Sequence, residues 1–213
     1  MAVVFDVMGT LFDLRPAHDR LVELGAAPAA FDAWFQRILH EAATVTLIGR
    51  YRPFTELAAA ALRTTLAQLD LDPDRTEPLE ALAELEPYPE AEQALRRLRD
   101  AGLTVVTLTN GARGSTEKLL ERGGLRGYVE QVLSCDDVEA FKPHRAPYEL
   151  ALRTVGGDAT MVAAHAWDIV GARAAGLEAV WVDRQEREWP FPFEQPPRAR
   201  DLVEAAESIA GGG

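Results

Sequence analysis

The chain has 213 residues, 47% apolar and 26% charged, which is globular composition with enough apolar mass for one large domain or for a core carrying a smaller insert. The formal net charge of -12 argues against nucleic acid and anionic lipid surfaces as partners, and it means that a small anionic substrate needs a local basic pocket. One cysteine, Cys135, allows no internal disulfide; there is no basic leader and no apolar run near the roughly 18 to 20 residues of a membrane span, so no membrane association and a cytoplasmic location are expected.

The run AVVFDV at residues 2–7 is short and almost wholly apolar, as in a parallel strand buried on both faces, with Asp6 at its carboxyl end. From about residue 14 to 86, apolar residues recur every three or four positions, with breakers at Gly25, Gly49, Pro53 and Asp72-Pro73; this predicts a small helical bundle. Beyond Pro87 and Pro89 the pattern alternates. A helix EAEQALRRLRDAG precedes the strand LTVVTLTN, a helix near 115–122 precedes YVEQVLSC, one near 146–155 precedes MVAAHAW, and one near 168–175 precedes EAVWVD. Alternation of this kind predicts an α/β fold, a Rossmann-like doubly wound parallel sheet, with catalytic groups at the carboxyl ends of its strands. A Pro-rich loop, a helix near 198–209 and a frayed tail Gly211-Gly212-Gly213 are expected to close the chain. The expected organisation is an α/β core of residues 1–13 and 89–213, interrupted by a helical cap of residues 14–88 that hangs over the strand ends.

Four segments stand at or near the predicted strand ends: FDVMGT with Asp6, Met8 and Thr10, LTNG with Thr109 and Asn110, FKPHRAPYE with Lys142 and Tyr148, and HAWDIVGARAAG with His165, Trp167 and Asp168. A carboxylate can act as a covalent nucleophile when a nearby cation keeps it ionised and oriented, and Lys142 is the evident partner for Asp6. Thr10, Thr109 and Asn110 bring hydrogen-bond donors. Asp168 could cap a helix, or orient Lys142 and a hydrolytic water.

Taken together the four segments resemble the motifs of the haloacid dehalogenase superfamily, over roughly residues 1–13 and 89–185. Phosphoryl-transferring members carry a second aspartate two positions after the nucleophile, where this chain has Met8, and a GDxxxD-like fourth motif whose first carboxylate falls here at Ala164 or Ala163. A thioether transfers no proton, and a hard dication wants several oxygen ligands. The pattern is instead similar to the L-2-haloacid dehalogenases. That resemblance implies attack of Asp6 on the α-carbon of a short 2-haloacid, with halide displaced and the aspartyl ester then hydrolysed, without metal or other cofactor. It also implies that Asp6, Thr10, Lys142 and Asp168 are catalytic, that Asn110 and Trp167 cradle the halide, and that Met8, Thr109 and Tyr148 lie at the substrate.

Where that subfamily carries serine and asparagine in the fourth motif, this chain has Ala163 and His165. His165 either takes the asparagine's place or is a satisfied histidine beneath the insert. Arg37 is the expected counterpart of the arginine that the subfamily's insert brings to the substrate, although aligning Trp34 and Tyr51 puts Phe35 at that place. An offset of two residues is about half a helical turn, and Arg50 and Arg113 are the fallback cations. Two other readings stay open: a phosphoesterase using magnesium held by Asp6 and Asp168, and a non-catalytic binding protein. A homodimer formed through the helical insert is a further expectation of the resemblance.

Overall fold

The computed structural model describes residues 1–211. Its centre is a six-stranded parallel sheet in the order β3-β2-β1-β4-β5-β6, with β1 Ala2–Phe5, β2 Thr104–Thr109, β3 Gln131–Ser134, β4 Ala159–Ala163, β5 Glu178–Val182 and β6 Arg198–Ala199. β1 lies in the middle, paired with β2 on one side and β4 on the other. Chain order reverses between these neighbours, which opens the crevice where parallel α/β sheets place their reacting groups. All four residues of β1 are buried. Val3 and Phe5 pack into one apolar layer and Ala2 and Val4 into the other, as the two-residue period of a strand covered on both faces requires.

Between β1 and β2 run α1 Arg15–Glu23, α2 Ala30–Leu47, α3 Phe54–Gln68, α4 Glu77–Ala81 and α5 Ala91–Asp100. The first four pack mainly on one another, α1 against α4 and α2 against α3. Trp34 of α2 is buried, and its indole N–H donates to the Ala58 carbonyl of α3 at 3.0 Å. α5 buries Ala91, Ala94, Leu95 and Leu98, a three-four spacing that marks one helix face. The remaining helices are α6 Arg113–Arg122, α7 Arg145–Val155, α8 Ala166–Ala174 and α9 Leu202–Gly211.

Two boundaries differ from the sequence expectation. The last helix starts at Leu202 rather than near 198, because Arg198 and Ala199 pair with Trp181 and Val182 as a sixth strand. At the end of the stretch expected to form the helical bundle, only the five-residue α4 forms, and Ala83 and Glu84 continue as turns. Of the tail expected to fray, Gly211 ends α9, and Gly212 and Gly213 lie outside the described residues. Among the described residues no helix is long and apolar enough to cross a membrane.

Candidate active site

At the end of β1 the chain is still tied to the sheet, since the Asp6 amide donates to Val162 of β4 at 3.0 Å. It then folds back sharply: the amides of Thr10, Leu11 and Phe12 all reach the Val7 carbonyl. This turn swings the Thr10 hydroxyl to 2.7 Å from Asp6 Oδ2, to which it donates, while its oxygen accepts the Ala164 amide at 2.9 Å. Gly9 makes the turn feasible. Its φ is +79°, and a Cβ there would stand 2.7 Å from His165 Nε2, so a side chain would be strained and would collide.

Lys142 comes from the loop before α7, and its side chain is 1% exposed. Its ammonium donates to Asp6 Oδ1 at 2.7 Å, Asp168 Oδ2 at 2.7 Å and the Leu108 carbonyl at 2.9 Å. Three protons meet three acceptors, so the group is held in one place with no donor left over. Asp168, in the first turn of α8, is fully buried and accepts the Tyr148 hydroxyl on Oδ1 at 2.5 Å. The glycine at 171 clears space for this contact: a Cβ there would lie 2.6 Å from the Tyr148 hydroxyl.

Burial by itself would raise the Asp6 carboxyl, but Lys142, His165 and the hydrogen bonds from Lys142 and Thr10 together hold it below its ordinary value. For Lys142, burial opposes the charge and the two carboxylates overcome it, so its acidity falls below that of a free lysine. Asp168 is pulled upward by burial against the influence of Lys142. With donors on both of its oxygens, it serves as the acceptor that aims the ammonium. Tyr148 is pushed well up, first by burial and then by Asp168, and so remains a donor.

In front of Asp6 lies a small cavity of about 20 Å³, room for one or two waters. Its floor is the strand-end set Asp6, Met8, Thr109, Asn110 and Gly111; its roof is Phe35 and Leu39 of α2 with Phe54 of α3; His165 and Trp167 close the side. Asn110 is oriented by its own oxygen, which accepts the Lys142 amide at 3.0 Å and the buried Cys135 thiol at 3.1 Å. The thiol is pushed up to about 12 by burial and is therefore a donor. The Trp167 indole nitrogen is buried with no partner in the protein. Thr109 accepts the Gly111 amide on its hydroxyl oxygen.

Nine of the eleven residues singled out from sequence therefore converge: Asp6, Met8, Thr10, Thr109, Asn110, Lys142, His165, Trp167 and Asp168 lie at the cavity or in its hydrogen-bonded base. Two are corrected. Arg37 does not reach the site; its guanidinium turns toward α3 and donates to Gln68 at 2.7 Å. Phe35 faces the cavity instead, and two residues further along a helix is a rotation of about 200°. Tyr148 stands behind Asp168, fully buried, and lines no part of the cavity. The fallback cations do not fill the gap, since Arg113 is engaged by Asp137 and the Val132 carbonyl and Arg50 is exposed. Sequence reasoning missed the apolar roof, whose signal was the four-residue spacing of Phe35 and Leu39, and the Cys135 contact, for which adjacent residues give no signal.

The residues present do not fit a divalent metal. Among the described residues no three His, Cys, Asp or Glu side chains converge. An ammonium sits between the two carboxylates, the second oxygen of each is taken by a hydroxyl, and the Met8 carbonyl is within 3.2 Å of His165 Nε2. An oxygen-rich shell of six ligands cannot be assembled without dismantling these contacts.

A doubly wound parallel sheet with an Asp-Lys-Asp cluster at its switch point, roofed by helices inserted after the first strand, defines an α/β protein built around a buried carboxylate held by an ammonium. The chain belongs to the haloacid dehalogenase-like hydrolases, whose family model matches residues 1–176. It is 32% identical to a haloacetate dehalogenase of Moraxella sp. (strain B), over 95% of this chain and 92% of that one. It is 33% identical to an (S)-2-haloacid dehalogenase of Pseudomonas sp. (strain YL), over 98% of this chain and 95% of that one. The solved L-2-haloacid dehalogenase of Xanthobacter autotrophicus with chloropropionic acid covalently bound superposes with a TM-score of 0.89 at 27% identity, over 100% of this chain and 99% of that one.

Proposed function

We propose that this protein is a dehalogenase of short 2-haloacids, working through an ester on Asp6. The observation that carries the reading is the Asp6 carboxylate itself: held ionised by Lys142 at 2.7 Å and facing an apolar cavity in which position 8 offers a thioether and no proton. An oxygen of Asp6 attacks the substrate's α-carbon as the carbon-halogen bond breaks, and the bonding pair leaves with the halide. Halide departs as a stable anion, so no general acid is required. The Asn110 amide and the unpartnered Trp167 indole N–H are the donors for it. Water then attacks the Asp6 carbonyl carbon, returning the carboxylate and releasing a 2-hydroxyacid and a proton, so that one oxygen of Asp6 comes from solvent. Lys142 and Thr10 steady the charge that develops on Asp6 in this second step.

Residues 14–88 act in this reading as a cap that shuts water out during the first step, with Phe35, Leu39 and Phe54 as its inner surface. Catalysis needs no metal, and the cytoplasm is its expected compartment. A dimer through the cap is part of the same reading; Leu47 and Ile48, at the end of α2, are exposed apolar residues suited to it, and the mass in solution tests it.

Halide release from chloro- and bromoacetate and from the two enantiomers of 2-chloropropionate, with and without EDTA, tests the reaction. Chelator-insensitive release with the (S) enantiomer preferred is the expected result. Phosphate release from small esters, restored by magnesium and unaccompanied by halide release, would replace this reading with the phosphoesterase one.

A further inference from the structure

The proposed substrate is an anion, and it must enter a cavity that already holds a surplus of negative charge. Asp6 and Asp168 bring two carboxylates, and Lys142, whose three protons are spent on Asp6, Asp168 and Leu108, brings one ammonium. The balance is one net negative charge beside a space that holds only one or two waters, too few to screen it. Arg37 faces Gln68, and Phe35 occupies the roof in its stead. One other side chain in the cavity wall can carry a positive charge, His165.

We propose, building on the dehalogenase reading, that His165 is the anion-binding residue of this site and takes over the charge that an arginine would supply. Its ring is held rather than free. The Phe35 ring packs at 5.5 Å from it, tilted by 32°, and Trp167 stacks at 5.6 Å, nearly parallel. Nε2 lies 3.2 Å from the Met8 carbonyl, where an N–H donates. With that nitrogen committed as a donor, a second proton on Nδ1 makes the ring cationic without moving it. The charge of His165 is already felt at Asp6, where it helps hold the carboxylate ionised, so the same group favours both the nucleophile and an incoming anion. Glu186 is the remaining carboxylate influenced by His165; it accepts the Ala166 amide at 3.0 Å, next to the ring along the chain. The fit of ring to cavity also accounts for Gly9, since any side chain there would meet His165 Nε2.

His165→Gln keeps a hydrogen-bonding group and removes the charge; His165→Asn is a smaller second variant, and thermal melts establish that each is folded. Two measurements separate charge from mere packing. The first is calorimetric binding of acetate, which needs no turnover: wild type should bind it, and both variants at least tenfold more weakly. The second is the preference for chloroacetate over its neutral analogue 2-chloroacetamide, taken as a ratio of kcat/KM, which should shrink at least tenfold in the variants, chiefly through KM of the anion. Acetate affinity within twofold of wild type in a folded variant, or no acetate binding by wild type, overturns the assignment of His165. Absence of halide release by a wild type whose acetate binding still depends on His165 overturns the dehalogenase reading and leaves the anion site standing.

Discussion

Replacing Lys142 by methionine probes the centre of the site, because the two side chains are similar in length and differ in charge and in three hydrogen bonds. In the wild type Asp6 is fully buried and burial is the largest influence on it, acting to raise its pKa; Lys142 is the largest influence acting to lower it. Without the lysine, burial is opposed only by His165 and Thr10, and the pKa of the carboxyl rises. Leaving one member of a buried pair uncompensated costs about 3–5 kcal/mol. Since Asp6 must be ionised to attack, that cost enters the barrier, and at about 1.4 kcal/mol per factor of ten the rate at pH 7 falls by roughly two to four orders of magnitude. The sign with pH follows. Wild-type Asp6, with a lowered pKa, is ionised throughout the neutral range and gives a flat profile there; in Lys142→Met the active form appears only as pH rises, so the residual rate should climb by about tenfold per pH unit until Asp6 ionises. Single-turnover halide release between pH 6 and 10 measures both effects, with a thermal melt to show that the variant is folded. A rate within tenfold of wild type with the same flat profile would mean that another cation serves Asp6 and that the charge argument fails.

Asp6→Asn should abolish turnover and the covalent adduct on the first tryptic peptide while leaving a cooperative melt, because Lys142 keeps Asp168 as a partner; halide release above a hundredth of the wild-type rate would remove the nucleophile assignment. Arg37→Ala should change kcat/KM by less than about twofold, as its guanidinium is engaged with Gln68 and lies outside the cavity; a loss above tenfold would put Arg37 at the substrate. Gly171→Ala forces a Cβ to within 2.7 Å of Pro143 and 2.6 Å of the Tyr148 hydroxyl, and should destabilise by about 1–3 kcal/mol in urea unfolding, with activity reduced through Asp168. The folded-state pKa of Lys142 is raised above its ordinary 10.5, so its contribution to stability is fully present below pH 10.5 and is lost as pH rises through the higher folded value. Urea midpoints at pH 9 and pH 11.5 should therefore fall further in wild type than in Lys142→Met, and an equal fall would contradict the ion pair.

The buried strands and the Asp6-Lys142-Asp168 cluster were legible because they depend on short-range pattern. A run such as AVVF admits few alternatives to a doubly covered strand; Asp6 follows a strand end and Asp168 stands in the first turn of a helix, on the side of the sheet where Lys142 arrives from the loop before α7. The cavity roof was not legible in the same way. Whether Phe35 or Arg37 faces Asp6 depends on the rotation of α2 about its own axis, and that rotation is settled by contacts distant in sequence, such as the Trp34 indole on Ala58. Trp34 was visible as an apolar helix position; its partner, 24 residues away, was not. Tyr148 was misplaced for a related reason. Its spacing from Lys142 suits the substrate as well as it suits Asp168, and only the packing of α7 on α8 decides between them. The sixth strand escaped notice because two residues carry no periodicity.

The cation between the two carboxylates of this site is an ammonium. A dication there would bind both acids through oxygen, recruit water and favour an oxygen-rich, doubly charged substrate; it would also call for a proton donor two residues past the nucleophile to release an alkoxide. An ammonium contributes one charge and three directed protons, all consumed by protein acceptors, so it holds Asp6 with no proton left for a ligand. The substrate must then satisfy itself with what the cavity offers: apolar walls at Met8, Phe35, Leu39 and Phe54, the donors of Asn110 and Trp167, and the ring of His165. Such walls suit a carbon-halogen bond, which is weakly polar until it breaks, and the few donors suit the one halide it then produces. Met8 is consistent with this, since a leaving group that needs no proton leaves no work for an acid at that position. Met8 and the crowded oxygens of Asp6 and Asp168 thus point to one chemistry, and exchanging Met8 alone for aspartate should not confer phosphatase activity, since Ala163 and Ala164 still supply no second carboxylate.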